Sequence, residues 1–351
     1  MRKVAVVGAG LVGERIIKCL RKSEFFGNSE LKVLARSSRE QVLAGELFSV
    51  KEIKPERFEG IDFAFFAGTE GEKGASLTYA KEAIERGAIV IDNGADFRLN
   101  PEVPLVVPEI NPEDLNWHKG LISSPNCSTI QMVMALWPIY REIGIKRIIA
   151  STYQAASGAG GEAERQLIEE TKREIQGGEE IKIKALPHRI AFNVFPQVGK
   201  FEEFGYTTEE WKMVRETRKI FHDDKIKITT TTVRVPVPIG HSEAIYIETK
   251  KQISCQEVKE ILMEAPGIKV IDNPEESLYP MPIDCVEKDE VFVGRIRRDP
   301  DNKKGLWLWV VSDNLWKGAA LNTVQIGEEF VKRDIKKGRM STICPFILGE
   351  I

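Results

Sequence analysis

Cysteine and histidine are scarce in this chain: five and four among 351 residues. The cysteines (Cys19, Cys127, Cys255, Cys285, Cys344) are scattered, odd in number and never in CxxC spacing, which argues against a disulfide framework and a thiolate zinc site. That usage fits a reducing cytoplasm. No apolar run approaches the roughly 20 residues of a membrane helix, and the N-terminus enters a strand pattern without a signal-type apolar core. A soluble, cytoplasmic protein without a membrane partner is therefore expected. Charge of one sign is lacking too: a net charge of -3 gives no electrostatic reason to expect nucleic acid as a partner. A small molecule is the expected partner. There is no internal repeat, low-complexity tract or flexible linker. The length exceeds what one core usually serves, so two domains are expected.

The most informative segment is Ser124-Pro125-Asn126-Cys127-Ser128-Thr129, a turn leading into the apolar run Ile130 to Leu136. A helix N-terminus favours a thiolate, the nucleophilic form of cysteine. Cys127 is thus a candidate nucleophile, with a buried structural cysteine as the alternative.

Lys3 to Val7 reads as a buried parallel strand and runs directly into Gly8-Ala9-Gly10-Leu11-Val12-Gly13. With a strand before it and a helix after it, this GxGxxG points to a dinucleotide: Gly8, Gly10 and Gly13 allow a tight turn and close backbone approach to a pyrophosphate. The alternative is a glycine turn in another βα unit. After the strand Leu31 to Ala35, Arg36-Ser37-Ser38-Arg39 stands where an NAD-specific fold places an acid. A guanidinium and hydroxyls suit a 2'-phosphate, favouring NADP, though a solvated polar turn would read the same. Strands at Phe63 to Ala67 and Ala88 to Asp92, with a helical pattern around Tyr79 to Ile84, complete a doubly wound α/β pattern.

Beyond Cys127 the runs Lys227 to Val235 and Glu243 to Glu248 suggest an α+β domain with an antiparallel or mixed sheet, and an apolar helix from about Ala319 to Lys332 follows. The mixed run Glu169 to Glu174 reads as a solvated helix face. His241 follows two prolines and a glycine at the start of a strand pattern. It suits proton exchange beside a thiol, but the local pattern by itself is more often that of a hydrogen-bonded structural histidine.

These pieces together resemble the aspartate-semialdehyde dehydrogenase family. The order matches along nearly the whole chain: the turn from Gly8, Ala35 to Ser38, Asp92-Asn93-Gly94-Ala95-Asp96-Phe97-Arg98, Pro125 to Thr129, Tyr153-Gln154-Ala155-Ala156-Ser157-Gly158-Ala159-Gly160, Ile190 to Asn193, Glu209-Glu210-Trp211-Lys212, Arg234 to His241, and Asp313-Asn314-Leu315. The chain departs from the family in having Ala9 between the first two glycines, where threonine is common. It also lacks the usual glycine and lysine after Ser38.

The resemblance implies a Rossmann-type doubly wound dinucleotide-binding domain over residues 1–128, completed by a C-terminal helix at about 314–351. An α+β catalytic and dimerisation domain is implied over residues 129–313. It implies an NADP-dependent enzyme that interconverts 4-phospho-L-aspartate and L-aspartate 4-semialdehyde on the route to lysine, threonine and methionine. Cys127 would attack the acyl phosphate, His241 would act as acid/base and Gln154 would position the reacting groups. Arg234 would grip the substrate carboxylate, Glu209 would meet its amine, and Arg98 and Lys212, with Asn126, would hold phosphate. Glu209 and Lys212, at i and i+3, could equally be a surface ion pair. NADP contacts are implied for Gly8, Gly10, Leu11, Val12, Gly13, Arg36, Ser37, Ser38, Ser157, Gly158 and Asn314. No metal is implied, and a homodimer or homotetramer is. The alternatives are an enzyme like N-acetyl-glutamyl-phosphate reductase, whose thiol motif usually reads Gly-Cys-Tyr, and a non-catalytic nucleotide-binding relative. The tail 334–351 matches no motif.

Overall fold

Short apolar runs without polar alternation become parallel strands covered on both faces, and four such runs centre the first sheet. The computed structural model describes residues 1–68, 74–177 and 184–336, and the chain divides into two units, residues 1–125 with Ala319 onward, and residues 126–318.

In the first unit the strands are β1 (Lys3–Val7), β2 (Glu30–Ala35), β3 (Arg39–Leu43), β4 (Glu46–Glu52), β5 (Phe63–Phe66), β6 (Ile89–Asp92) and β7 (Leu121–Ser123). They lie in the order β3-β4-β2-β1-β5-β6-β7 and run parallel except for the antiparallel β3/β4 pair. Helices α1 (Leu11–Lys22) and α2 (Ala75–Glu85) belong to this unit, as does the helix Leu321–Lys336. Phe26 meets Phe63 and Phe65 edge-on in the core, ring centroids 5.2 and 5.7 Å apart. This is the expected doubly wound sheet with one addition: the polar segment after Ser38 continues as a hairpin, where only a turn was expected. Its first strand is largely exposed, so it carries no apolar signal.

The second unit contains α3 (Cys127–Ile143), β8 (Ile145–Gln154), α4 (Gly161–Gln176), α5 (Thr208–Phe221), β9 (Lys227–Arg234), β10 (His241–Thr249), α6 (Cys255–Met263), β11 (Ile268–Val270), β12 (Val291–Arg298) and β13 (Gly305–Ser312). Its sheet is mixed, in the order β11-β12-β13-β10-β8-β9, with β8/β9 and β11/β12 parallel. α3 is apolar nearly all round, and most of its residues are buried accordingly.

The boundaries fall at 125/126 and 318/319, where 128/129 and 313/314 were expected. Asn126 joins the second unit because it caps α3. Asp313 turns its carboxylate back onto the amides of Leu315 and Trp316, keeping that turn with β13. The last helix opens with a π-turn at Trp316–Ala320 and then runs Leu321–Lys336. Of the tail 334–351, residues 337–351 lie outside the described residues. Within α4, Glu170 departs from the solvated reading. It is buried and accepts from Gln166 Nε2 (2.7 Å) and from the amides of Ile190 (2.7 Å) and Ala191 (3.0 Å). Among the described residues no helix is long and apolar enough to cross a membrane, and no group of three His, Cys, Asp or Glu could hold a metal ion.

Candidate active site

The glycine turn after β1 is built by exclusion. Gly8 has φ +116°, and a Cβ there would stand 2.5 Å from Ala67 O. A Cβ on Gly13 would collide with the Gly8 carbonyl, so these glycines let α1 lie against the strand end. Around the position a Gly10 Cβ would take, the space within 4 Å is open. Gly10 caps α1, no side chain satisfies the helix start, and the amides of Leu11, Val12 and Gly13 occupy the positive end of the helix. Gly8, Gly10, Arg36, Arg39, Thr78 and Tyr79 help line a groove of about 650 Å³. Arg36 and the following Ser37 are exposed. Ser38 Oγ accepts the Glu52 amide at 2.9 Å, and Gln41 Nε2 donates to Ala9 O at 3.1 Å, so the hairpin pins both sides of the turn. An anionic dinucleotide with a 2'-phosphate fits this set: a bare helix start, an open glycine and a guanidinium.

Arg98, also in the first unit, is buried and aimed by Nε donating to Ser124 O (2.9 Å) and Nη2 donating to Asn93 O (2.8 Å).

In the second unit Cys127 is the first residue of α3 and half-buried. Asn126 Oδ1 accepts from the amides of Ser128 (3.0 Å) and Thr129 (3.1 Å), the N-cap arrangement, and Asn126 Nδ2 donates to Glu209 Oε1 at 2.9 Å. Gln154, at the end of β8, donates through Nε2 to Ser128 Oγ (2.8 Å) and to Glu209 Oε1 (3.3 Å). Glu209 Oε2 lies 3.8 Å from Lys212 Nζ. Because Glu209 is buried and bonded to Asn126 and Gln154, this is not an ordinary exposed pair. The expected residues Asn126, Cys127, Gln154, Glu209 and Lys212 therefore form one connected group.

Arg234 ends β9 and is buried, with Nη1 donating to Ala155 O at 2.5 Å. Its guanidinium loses some basicity to burial, against the opposing pull of Glu209 and Cys127. His241 begins β10, fully buried, and accepts the Ala155 amide at Nδ1 over 3.0 Å. Burial, and then the Arg234 charge, hold its imidazole well below the ordinary histidine range. A Cβ on Gly158 would stand 2.9 Å from Arg234 Nη1 and 3.1 Å from His241 Nε2. Gly158, expected at the cofactor, thus also faces these two side chains. Ser157 and Asn314 are bonded to each other, Asn314 Nδ2 donating to Ser157 Oγ at 3.1 Å, while Asn314 Oδ1 takes the Gly240 amide at 2.9 Å.

Several participants had no sequence assignment. Glu216 Oε2 accepts the Asn126 amide at 2.7 Å. It stands two turns beyond Glu209 on α5, a spacing that could have linked the two. Gly318 abuts Cys127, since a Cβ there would lie 3.1 Å from Cys127 Cβ. Glu243 is fully buried in β10, opposite Thr152 of β8, and burial pushes its carboxyl well above the usual range.

The chain matches the semialdehyde dehydrogenase NAD-binding domain over residues 3–118 and the semialdehyde dehydrogenase dimerisation domain over residues 136–317. It is 49% identical over 340 residues to an aspartate-semialdehyde dehydrogenase of Aquifex aeolicus, covering 95% of this chain and 99% of the relative. A crystal structure of aspartate semialdehyde dehydrogenase II complexed with ASA, from Vibrio cholerae, is 40% identical with a TM-score of 0.88, covering 95% of this chain and 98% of that one. A structure of the Candida albicans enzyme with NADP is 25% identical with a TM-score of 0.73, covering 95% and 98%.

Proposed function

The chain belongs to the aspartate-semialdehyde dehydrogenase family, whose reaction interconverts 4-phospho-L-aspartate and L-aspartate 4-semialdehyde with NADP, and we propose that it does so through a thioester on Cys127. The observation that carries this reading is the connected group at the head of α3, where the nucleophile's own N-cap is bonded to Glu209 and Glu209 to Gln154.

The thiol at the first helical position is favoured as thiolate by the α3 amides and by the neighbouring Arg234 charge. Its attack on the acyl phosphate expels phosphate and leaves a thioester, which splits one hard reduction into two easier steps. NADP, when bound, supplies or accepts the hydride. Gln154 positions Ser128 beside the thiol, and His241 is the acid/base partner at the acyl carbonyl. Arg234 takes the substrate carboxylate, Glu209 its amine, and Arg98 and Lys212, with Asn126, the phosphate. The cofactor is held by Gly8, Gly10, Leu11, Val12 and Gly13 at its pyrophosphate and by Arg36, Ser37 and Ser38 at its 2'-phosphate, and Ser157, Gly158 and Asn314 are its further contacts. Residues 126–318 serve as the catalytic and assembly domain of a cytoplasmic homodimer or homotetramer.

The test is phosphate-dependent reduction of NADP with aspartate semialdehyde. Cys127→Ser should keep the fold and cofactor affinity while losing roughly three or more orders of magnitude in turnover. Near-normal turnover in that variant removes the covalent reading. Preference for N-acetyl-glutamate semialdehyde would move the enzyme to its neighbouring class.

A further inference from the structure

The backbone decides which nitrogen of His241 carries its proton. The Ala155 amide lies 3.0 Å from Nδ1. An amide N–H can only donate, so Nδ1 must be a bare acceptor. Turning the ring over would set a carbon against that N–H and strand the donor. Ala155 is itself held on three sides: its carbonyl takes Arg234 Nη1 at 2.5 Å, the preceding Gln154 carbonyl takes the Val235 amide at 3.0 Å, and the following Ala156 amide donates to Val237 O at 2.8 Å. The single ring proton is therefore on Nε2. That nitrogen is fully buried without a hydrogen-bond partner among the described residues, and it looks onto Gly158, where a side chain would fill the space beside it.

We infer that His241 works as a neutral imidazole that keeps its proton and donates from Nε2 to the acyl oxygen of the substrate, and that it does not take the proton of the Cys127 thiol. The inference rests on the thioester reading above and replaces the acid/base role given there to His241 with hydrogen-bond donation. A positive ring would have to break the Ala155 bond and would stand beside a buried guanidinium in a site that already disfavours charge. The ionisable groups on the elements around this end of β10 include Arg234 on β9, Cys127 at the head of α3, Glu209, Glu210, Lys212 and Glu216 on α5, Asp313 and Lys317 after β13, and Glu243 on β10 itself. Arg234, whose charge interacts with Cys127, is a cation placed to hold a thiolate.

The steps balance without a proton passing through His241. The sulfur lone pair forms the C–S bond as the carbonyl electrons move onto oxygen, where the Nε2–H bond strengthens. Collapse breaks the C–O bond to phosphate, which leaves with that electron pair and takes its proton from water. When the thioester is reduced the same oxygen carries the charge again, and collapse returns the thiolate. An oxyanion donor contributes on the order of 10²–10³ in rate and a general acid/base on the order of 10²–10⁴, so turnover alone does not separate the two.

The discriminating experiment compares His241→Gln and His241→Ala in three measurements. These are turnover, the pH dependence of Cys127 alkylation by iodoacetamide, and ¹⁵N NMR of the histidine-labelled parent enzyme. Expected are a turnover loss on the order of 10²–10³ in the alanine variant and recovery of about tenfold by glutamine, which can still donate. The alkylation midpoint should not move, and the parent ring should carry one protonated nitrogen at pH 7. An upward shift of the alkylation midpoint alongside the turnover loss, or a doubly protonated ring, overturns the inference while leaving His241 in the site. Unchanged turnover in both variants overturns the site reading and the inference with it.

Discussion

The side-chain amide of Asn126 donates to Glu209 Oε1 over 2.9 Å while its oxygen caps α3, so one residue joins the helix that carries the thiol to the helix that carries the acid. Asn126→Ala should cost about 1 kcal/mol of stability through the lost cap, read as a lower denaturation midpoint. Asn126→Asp keeps the cap but sets a carboxylate against Glu209. It should therefore hold its stability better than alanine and lose more turnover. Equal effects of the two variants on both measurements would contradict the division of labour.

Arg36 lines the groove beside the glycine turn and is followed by the exposed Ser37 and Ser38, while the acid in the same lining, Glu52, comes from β4. Arg36→Ala should weaken NADP by about tenfold or more and leave NAD nearly unchanged, because only the former presents a phosphate to the guanidinium. Titrating both nucleotides against the variant gives the answer, and a parallel loss would assign Arg36 elsewhere.

Arg234→Lys retains charge but loses the planar fork that reaches a carboxylate with two parallel bonds. The apparent KM for aspartate semialdehyde should rise about tenfold or more, since a charged hydrogen bond is worth roughly 1.5–3 kcal/mol. NADP affinity should be retained. A semialdehyde saturation curve that overlays the parent's would remove the role.

Glu243 supplies a pH signature. Its folded carboxyl holds its proton well above its ordinary value of 4.5, while the unfolded chain releases it there. In that window the folded state binds the extra proton, so this group lowers stability as pH rises, by at most about 1.4 kcal/mol per pH unit. Glu243→Gln, neutral at every pH, should gain on the parent in thermal midpoint from pH 5 to pH 8. A constant difference across that range would show that the carboxyl ionises normally.

How far the sequence announced this differs from residue to residue. β1, β5 and β6 were legible because a buried parallel strand needs an unbroken apolar run. The strand β3 was not, since its Arg39-Glu40-Gln41 start lies at an exposed sheet edge and no burial pattern marks it. Cys127 could be found from its turn and helix alone. The setting of His241 could not, because the amide that decides its tautomer lies 86 residues away. Glu170 sits in a run of mixed charges and reads as solvated. Only the fold brings the Ile190 and Ala191 amides to its carboxylate. Local pattern reports what a residue does for its own helix or strand, and it is silent on a distant backbone donor.

Ala155 serves both His241 and Arg234 through its peptide group, with its methyl buried. A mutational scan of that position would record tolerance or intolerance of volume for every replacement that keeps an N–H. Proline alone deletes the donor. A position can therefore set the electrostatics of a reaction centre while its genetic code varies without changing the atoms responsible, and only chemistry that edits the main chain, such as an amide-to-ester replacement of the 154–155 linkage, would isolate that contribution.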